Sequence, residues 1–419
     1  MEKVILVQVK DYLSSHDFIS CAQSAFVKNH STTTAIHKFI DDILDGFNEH
    51  ELTTACFIDL QKCFDTIDHK ILLEKLKMYG FSGNSYSWFE NYLIHRKQCV
   101  KVNNKLSCFL DIVMGIPQGS ILGPILFLLF INDLPNSVFK SQCNLFADDT
   151  IVYSQANSID EAESILQHDI DNIIKWFNNN RLHVNTSKSS SMCFTTKSNV
   201  RDLELTMNGI NVNTDSNIKY LGVNISDTLC WDKNISRVCK TLGYNIQLLR
   251  KLKGKVPTCD LITVYKTLVQ PHIDYGITIW GYAPNYQIQR IQRLQNKIIR
   301  LISGNYSWEI SPRDILGEYN IPTVTQRRNY FNGINVFRSL NGSFPNYMCD
   351  LLTYTSDYNV YNTRNVTNNN LYIPKPRIDM FRQSFQYTGP TFYNKLPDHV
   401  KNASSLHEFK NVLKEFILS

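Results

Sequence analysis

The chain has no apolar stretch long enough to cross a bilayer: the run Ile125 to Ile131 falls far short of the roughly 20 residues that a membrane helix needs. It has no paired cysteines of the knuckle or redox type. Its 11 cysteines are scattered and odd in number, with no Cys-x-x-Cys and no Cys/His spacing, which excludes a zinc finger and a disulfide scaffold and implies reduced thiols. It has little excess charge of either sign. Against 38 Asp plus Glu stand 43 Lys plus Arg, a net +5, so bulk electrostatics alone do not mark a nucleic-acid binder. No stretch reads as a long linker, although 419 residues are enough for two or three domains. The run Val4-Ile5-Leu6-Val7 lacks signal-peptide organisation, and without a secretory signal Asn234-Ile235-Ser236 has no weight as a glycosylation site. The expected setting is intracellular, nuclear or cytoplasmic, away from membranes.

Set against these absences is Phe146-Ala147-Asp148-Asp149-Thr150, two adjacent carboxylates between apolar, β-prone residues. Asn144 to Ala147 and Thr150 to Tyr153 read as strands, which puts the acidic pair at a hairpin tip. Neighbouring anions raise one another's pKa unless a cation lies between them, so a divalent metal is the natural partner. Taken alone, the pair is also explained by an ordinary Asp-Asp turn. Two other segments add weight. Cys56-Phe57-Ile58-Asp59-Leu60 is an apolar strand with one embedded Asp, costly to bury unless paired or metal-bound. After it, Asp68 can cap a helix through Ile71, Leu72, Lys75, Leu76 and Tyr79, with Gly80 as its stop. Gly115 to Pro124 is a Gly/Pro-punctuated loop whose backbone can approach a flat ligand closely.

In this order the segments resemble the reverse transcriptase of non-LTR, LINE-like retrotransposons of the jockey-related kind. Phe57 to His69 resembles the first palm motif, Gly115 to Ser120 the second and Phe146 to Asp149 the third. Leu182 to Lys188 resembles the fourth and Ile218 to Val223 the fifth, with similarity running on through Tyr275 to Trp280. The resemblance implies an α+β right-hand polymerase fold. Residues 1–225 would form a palm sheet with incomplete fingers, 226–304 a helical thumb-like region, and 305–419 a mostly helical C-terminal region. It implies RNA-directed DNA polymerisation, in which a primer 3′-hydroxyl attacks the α-phosphate of a deoxynucleoside triphosphate on an RNA template.

For that chemistry the resemblance gives Asp59, Asp148 and Asp149 as catalytic carboxylates and ligands of two Mg²⁺ ions, with Mn²⁺ as a substitute. Phe64 would lie beneath the incoming sugar and exclude a 2′-hydroxyl, Gln118 and Gly119 would face the nucleotide, and Lys188 would approach the leaving phosphates. As bare residues, Phe64 reads equally as core, Gln118 as a polar turn and Lys188 as a solvated lysine. Arg290, Arg293, Lys297 and Arg300 recur at helical spacing beside Ile291, Leu294, Ile298 and Leu301, a face that could track a nucleic-acid backbone or simply be solvated. Arg250, Lys251, Lys253 and Lys255 form a second basic cluster. Ser405 and Glu408 form a capping-box pattern ahead of Phe409, Val412, Leu413 and Phe416.

The chain also departs from the family pattern. In Gln23-Ser24-Ala25-Phe26-Val27-Lys28, Ala25 stands at the usual Gly and Val27 at the usual Arg, whose forked charge would face the triphosphate. Strand alternation would turn Lys28 to the opposite face. No endonuclease segment is recognised, and the chain begins inside what would be the fingers. These departures support an alternative expectation: a truncated or co-opted remnant that folds and binds nucleic acid without efficient catalysis.

Overall fold

The computed structural model describes residues 1–94, 96–197, 200–358 and 369–418. The chain forms two compact units: Met1–His30 with Glu51–Ser216, and Ser31–His50 with Asn217–Ser419.

The first unit is organised on a five-stranded sheet. Its strands are β1 (Leu52–Ile58), β2 (Gln142–Phe146), β3 (Asp149–Ala156), β4 (Ser190–Phe194) and β5 (Asn213–Thr214), in the order β5-β4-β1-β3-β2. β1 lies in the middle, antiparallel to β3 and β4, while β5 joins β4 in parallel. Its central place explains its composition: Leu-Thr-Thr-Ala-Cys-Phe-Ile is buried almost throughout, as a strand covered on both faces requires. The hydroxyls that this brings inside are satisfied across strands. Thr54 Oγ1 and Ser154 Oγ are 2.9 Å apart, and Ser154 Oγ donates to the Ala162 carbonyl at 2.9 Å.

Two helices cover this sheet's core for different reasons. Ile159–Asn179, N-capped by Ser158, buries Ala162, Leu166, Ile170, Ile173 and Phe177 at three- and four-residue spacing. Gly123–Ile131 has no polar face and is buried along almost its whole length, so the apolar run seen in the sequence is a core helix. Among the described residues, no helix is long and apolar enough to cross a membrane. Asp169, on the first of these helices, is wholly buried. It accepts the N–H groups of Phe139, Lys140 and Ser141 at 3.0, 2.9 and 2.6 Å and so anchors the turn that feeds β2. Desolvation opposes its charge, but these backbone donors outweigh it and hold the carboxyl below the usual range.

The helix expected after Asp68 forms over His69–Met78. Asp68 Oδ1 accepts from Lys70 and Ile71 N–H, and Gly80 follows at φ +88°.

In the second unit, Asp232–Leu252 packs along Asn285–Ser303, and Val324–Leu340 packs against Phe385–Tyr393 and Leu406–Leu418. Phe337 and Phe409 stack at 4.3 Å inside this core. Thr32–Asn48 belongs here too. Asp41 Oδ1 accepts the Phe385 N–H at 2.9 Å, and Gln386 hydrogen-bonds Asp45. Ile218 to Val223 spans the turn of a hairpin, Asn217–Tyr220 with Val223–Ser226, where Leu221 and Gly222 take φ +42° and +82°. The Ser405 cap forms on Leu406–Leu418, but the Glu408 carboxylate reaches Ser404 N–H and Oγ, so the reciprocal half of the expected box shifts by one residue.

Candidate active site

β1 ends with Ile58 paired to Thr150 of β3, and Asp59 is the next residue out. At the same end of the sheet, Ala147 and Asp148 form the two-residue connection between β2 and β3, closed by the Phe146–Asp149 pair. The expected acidic hairpin tip is therefore real, and the sheet register gathers Asp59, Asp148 and Asp149 from adjacent strands. Asp149 shows the consequence. Burial first, then the charges of Asp148 and Asp59, push its carboxyl up to about 6. The side chain still reaches solvent, so the acidic group is crowded and accessible at once.

Hard carboxylate oxygens crowded in this way suit a divalent cation of the Mg²⁺ type. The side chains are not already arrayed around a metal position, since among the described residues no three His, Cys, Asp or Glu groups stand in a ready ligating arrangement. Asp148 is turned toward Cys63, whose Sγ donates to its Oδ2 at 3.3 Å. Burial and the Asp148 charge push the Cys63 thiol far up, so it is a neutral hydrogen-bond donor here.

The backbone around Asp59 is held from the Leu182–Lys188 segment. Ser189 Oγ accepts the Asp59 N–H at 3.1 Å, the Asp59 carbonyl accepts Asn185 N–H at 2.8 Å, and Gln61 N–H reaches the His183 carbonyl at 2.8 Å. This ladder brings Lys188 to a cleft that it lines together with Asp59, Lys62 and His183. Phe64 is half-buried and stacks on Phe127, centroids 4.5 Å apart at 23°. Gln118 Nε2 donates to Asp65 Oδ1 at 2.7 Å. Its loop docks on the turn after Asp59 through Gly115 N–H to the Ile67 carbonyl and Ile116 N–H to the Phe64 carbonyl, each 2.8 Å. Gly115 sits at φ +89°, and a Cβ there would lie 2.7 Å from the Asp65 carbonyl oxygen. Gly119, at φ +80°, faces open space.

Gln23 had no role in the sequence reading, yet it braces the acidic tip. It is 1% exposed, and its Oε1 accepts the N–H of both Ala25 (2.8 Å) and Ala147 (3.1 Å). Two backbone donors converge on that atom, so it must be the oxygen. Ala147 needs the support. At φ +56° it occupies the left-handed region, which disfavours an L-residue. Residues 22–24 also pair with Leu145 through two backbone bonds, of 2.8 and 2.9 Å. Beyond them Phe26 and Asn29 take φ +57° and +67°. The chain therefore turns instead of continuing as a strand, which replaces the expected alternation: Val27 packs on the core, and Lys28 is exposed.

The four cations on Asn285–Ser303 share one helix face but differ in freedom. Arg290 is engaged by Asp232 (2.5 Å) and Ser236 (2.8 Å), and Arg300 by three loop carbonyls. Arg293 and Lys297 are exposed. The buried stripe beside them is Ile288, Ile291, Gln295, Ile298, Ile299 and Ile302, so Leu294 and Leu301 lie at its margin rather than inside it. Gln295 belongs to the stripe because its Nε2 donates to Tyr265 Oη and the Pro322 carbonyl.

The chain is similar to known proteins. The reverse transcriptase (RNA-dependent DNA polymerase) family pattern matches residues 1–225. A probable RNA-directed DNA polymerase from transposon BS of Drosophila melanogaster is 31% identical over 72% of this chain and 34% of its own length. The RNA-directed DNA polymerase from mobile element jockey of the same organism is 26% identical over 80% of this chain and 38% of its own. Among solved structures, apo telomerase from Candida tropicalis aligns over 72% of this chain and 50% of that one, with 11% identity and a TM-score of 0.44. The chain spans about a third of the length of the curated relatives it matches. It belongs to the reverse transcriptase family.

Proposed function

We propose that this chain adds deoxynucleotides to a primer 3′-hydroxyl on an RNA template. The observation that carries the reading is the junction of Asp59 with the Ala147–Asp148 turn at one end of β1 and β3. Asp59, Asp148 and Asp149 would hold two Mg²⁺ ions, which when bound lower the charge barrier to attack by the hydroxyl and to departure of pyrophosphate. The protein's own work is positioning. Phe64, stacked on Phe127, would lie beneath the sugar and exclude a 2′-hydroxyl, and Gln118 and Gly119 would face the nucleotide. Lys188, across the cleft from Asp59, would meet the phosphates, and Arg293 and Lys297 a nucleic-acid backbone. Residues 226–304 are read as thumb-like from the resemblance to the family.

Two observations favour the second reading, a nucleic-acid-binding remnant with little catalysis. Val27 stands at the family's Arg position and packs on the core, and Asp148 is occupied by Cys63. Primer extension on an RNA template with Mg²⁺, comparing the chain with Asp148→Asn, decides between them. Loss of at least a hundredfold in the variant supports catalysis, and equal, negligible extension by both sinks it.

A further inference from the structure

Trp308 is 99% exposed and Tyr306 62% exposed, on the loop that follows Asn285–Ser303. A lone exposed aromatic on a slack loop requires no explanation, but this loop is braced. Arg300 donates to the carbonyls of Asn305 (3.3 Å), Ser307 (2.9 Å) and Ile310 (2.8 Å). Asn305, Ser307 and Glu309 N–H groups each find a side-chain oxygen two residues back, at 3.0 to 3.2 Å. The backbone has lost its freedom, at a cost in conformational entropy, while the two rings gain almost no burial. That combination makes sense when the rings are held out for a partner.

The surroundings indicate which partner. Lys253 Nζ donates to the Ile302 carbonyl at 2.6 Å, bringing its segment, with the exposed Arg250, Lys251 and Lys255, to the end of the helix from which the loop departs. Lys297 and Arg293 continue the positive charge along the Arg300 face, three and seven residues back, with no hydrogen-bonding or ionic partner among the described residues. Glu309 is the only carboxylate within the loop 304–311. We propose that this end of the second unit is a docking surface for single-stranded nucleic acid, with Trp308 and Tyr306 stacking on unpaired bases and the exposed lysines and arginines meeting phosphates. A duplex hides its base faces and gives the rings nothing to stack on. A protein partner would have to bring acidic side chains to the cations.

The test needs no polymerase activity, so it stands or falls separately from the carboxylate chemistry. Fluorescence anisotropy compares binding of a short labelled oligo(dT), an abasic strand of equal length and a blunt duplex. Trp308→Ala is expected to weaken oligo(dT) binding by roughly tenfold or more and to leave the abasic strand and the duplex unaffected, while Trp308→Phe keeps most of the affinity. Lys297→Ala is expected to weaken both single strands and to lower the salt slope by about 0.7. Absence of oligo(dT) binding by the unaltered chain overturns the proposal. So does an unchanged affinity in Trp308→Ala, which leaves the surface to a protein partner, or an equal loss on all three ligands. Near-ultraviolet circular dichroism of each variant confirms that the fold is retained.

Discussion

Gln23 and Gly115 show how single residues distant in sequence from the carboxylates fix the geometry of the acidic end of the sheet. Replacing Gln23 with Met keeps its volume but leaves the Ala25 and Ala147 N–H groups buried without an acceptor, at about 1–3 kcal/mol each. The hairpin tip then loses its hold on a strained Ala147. In Gln23→Met, hydrogen exchange at the Ala147 amide should accelerate by at least tenfold while the middle of β3 stays protected, and unchanged exchange would show that the tip holds itself. Gln23→Met should also lower extension activity, and Ala147→Gly added to it should restore that activity but not the protection, because glycine adopts φ +56° without strain. Gly115 is constrained by backbone rather than by side chains. Gly115→Ala would put a methyl against the Asp65 carbonyl and force an L-residue to φ +89°, costing about 2–5 kcal/mol. A urea titration should register that loss, and a midpoint within error of the parent would refute it.

The element whose packing most affects the site from a distance is the helix Ile159–Asn179. Neither this helix nor Asp169, in the middle of its buried face, stands out in the sequence: a carboxylate among core positions is accounted for only by the three N–H groups of Phe139, Lys140 and Ser141 around it. Asp169→Asn keeps one acceptor oxygen and turns an amide donor toward backbone donors, an expected loss of about 3 kcal/mol. The folded-state pKa of Asp169 is depressed, so its contribution is present above the unfolded value near 4 and lost as pH falls below it. Denaturation of parent and variant at pH 7 and pH 3 should show the gap narrowing in acid. A similar lesson comes from Asn285–Ser303. Helical spacing showed that its four cations share a face, but only the tertiary partners of Arg290 and Arg300 distinguish braces from free charges.

For the molecule as a whole, the most direct handle is pH acting on the second unit. Burial, then the Asp41 charge, with smaller effects from Asp42 and Glu49 and opposition from the Gln386 hydrogen bond, pushes the Asp45 carboxyl up to about 7. A raised carboxyl pKa means that the folded chain keeps a proton the unfolded chain has released. Stability from this group therefore falls as pH rises from about 4 to 7 and is level above that. Asp45→Asn retains the oxygen facing Gln386, so it should stabilise the unit at pH 8 and flatten the slope between pH 4 and 7. A thermal melt series that keeps the parent's slope would rule Asp45 out. The sequence by itself determined the chain's family, the order of its motifs, the strand-borne carboxylates and the capped helices, because strand alternation, helix periodicity and turn chemistry act over a few residues. Only the tertiary structure decided that Gln23 supports Ala147 across 124 residues, that Asp148 faces Cys63, that Thr32–Asn48 packs with the second unit, and that Arg293 and Lys297 are exposed with no hydrogen-bonding or ionic partner among the described residues. Those outcomes depend on which buried donors find which acceptors between segments distant in sequence, and no local pattern encodes that pairing.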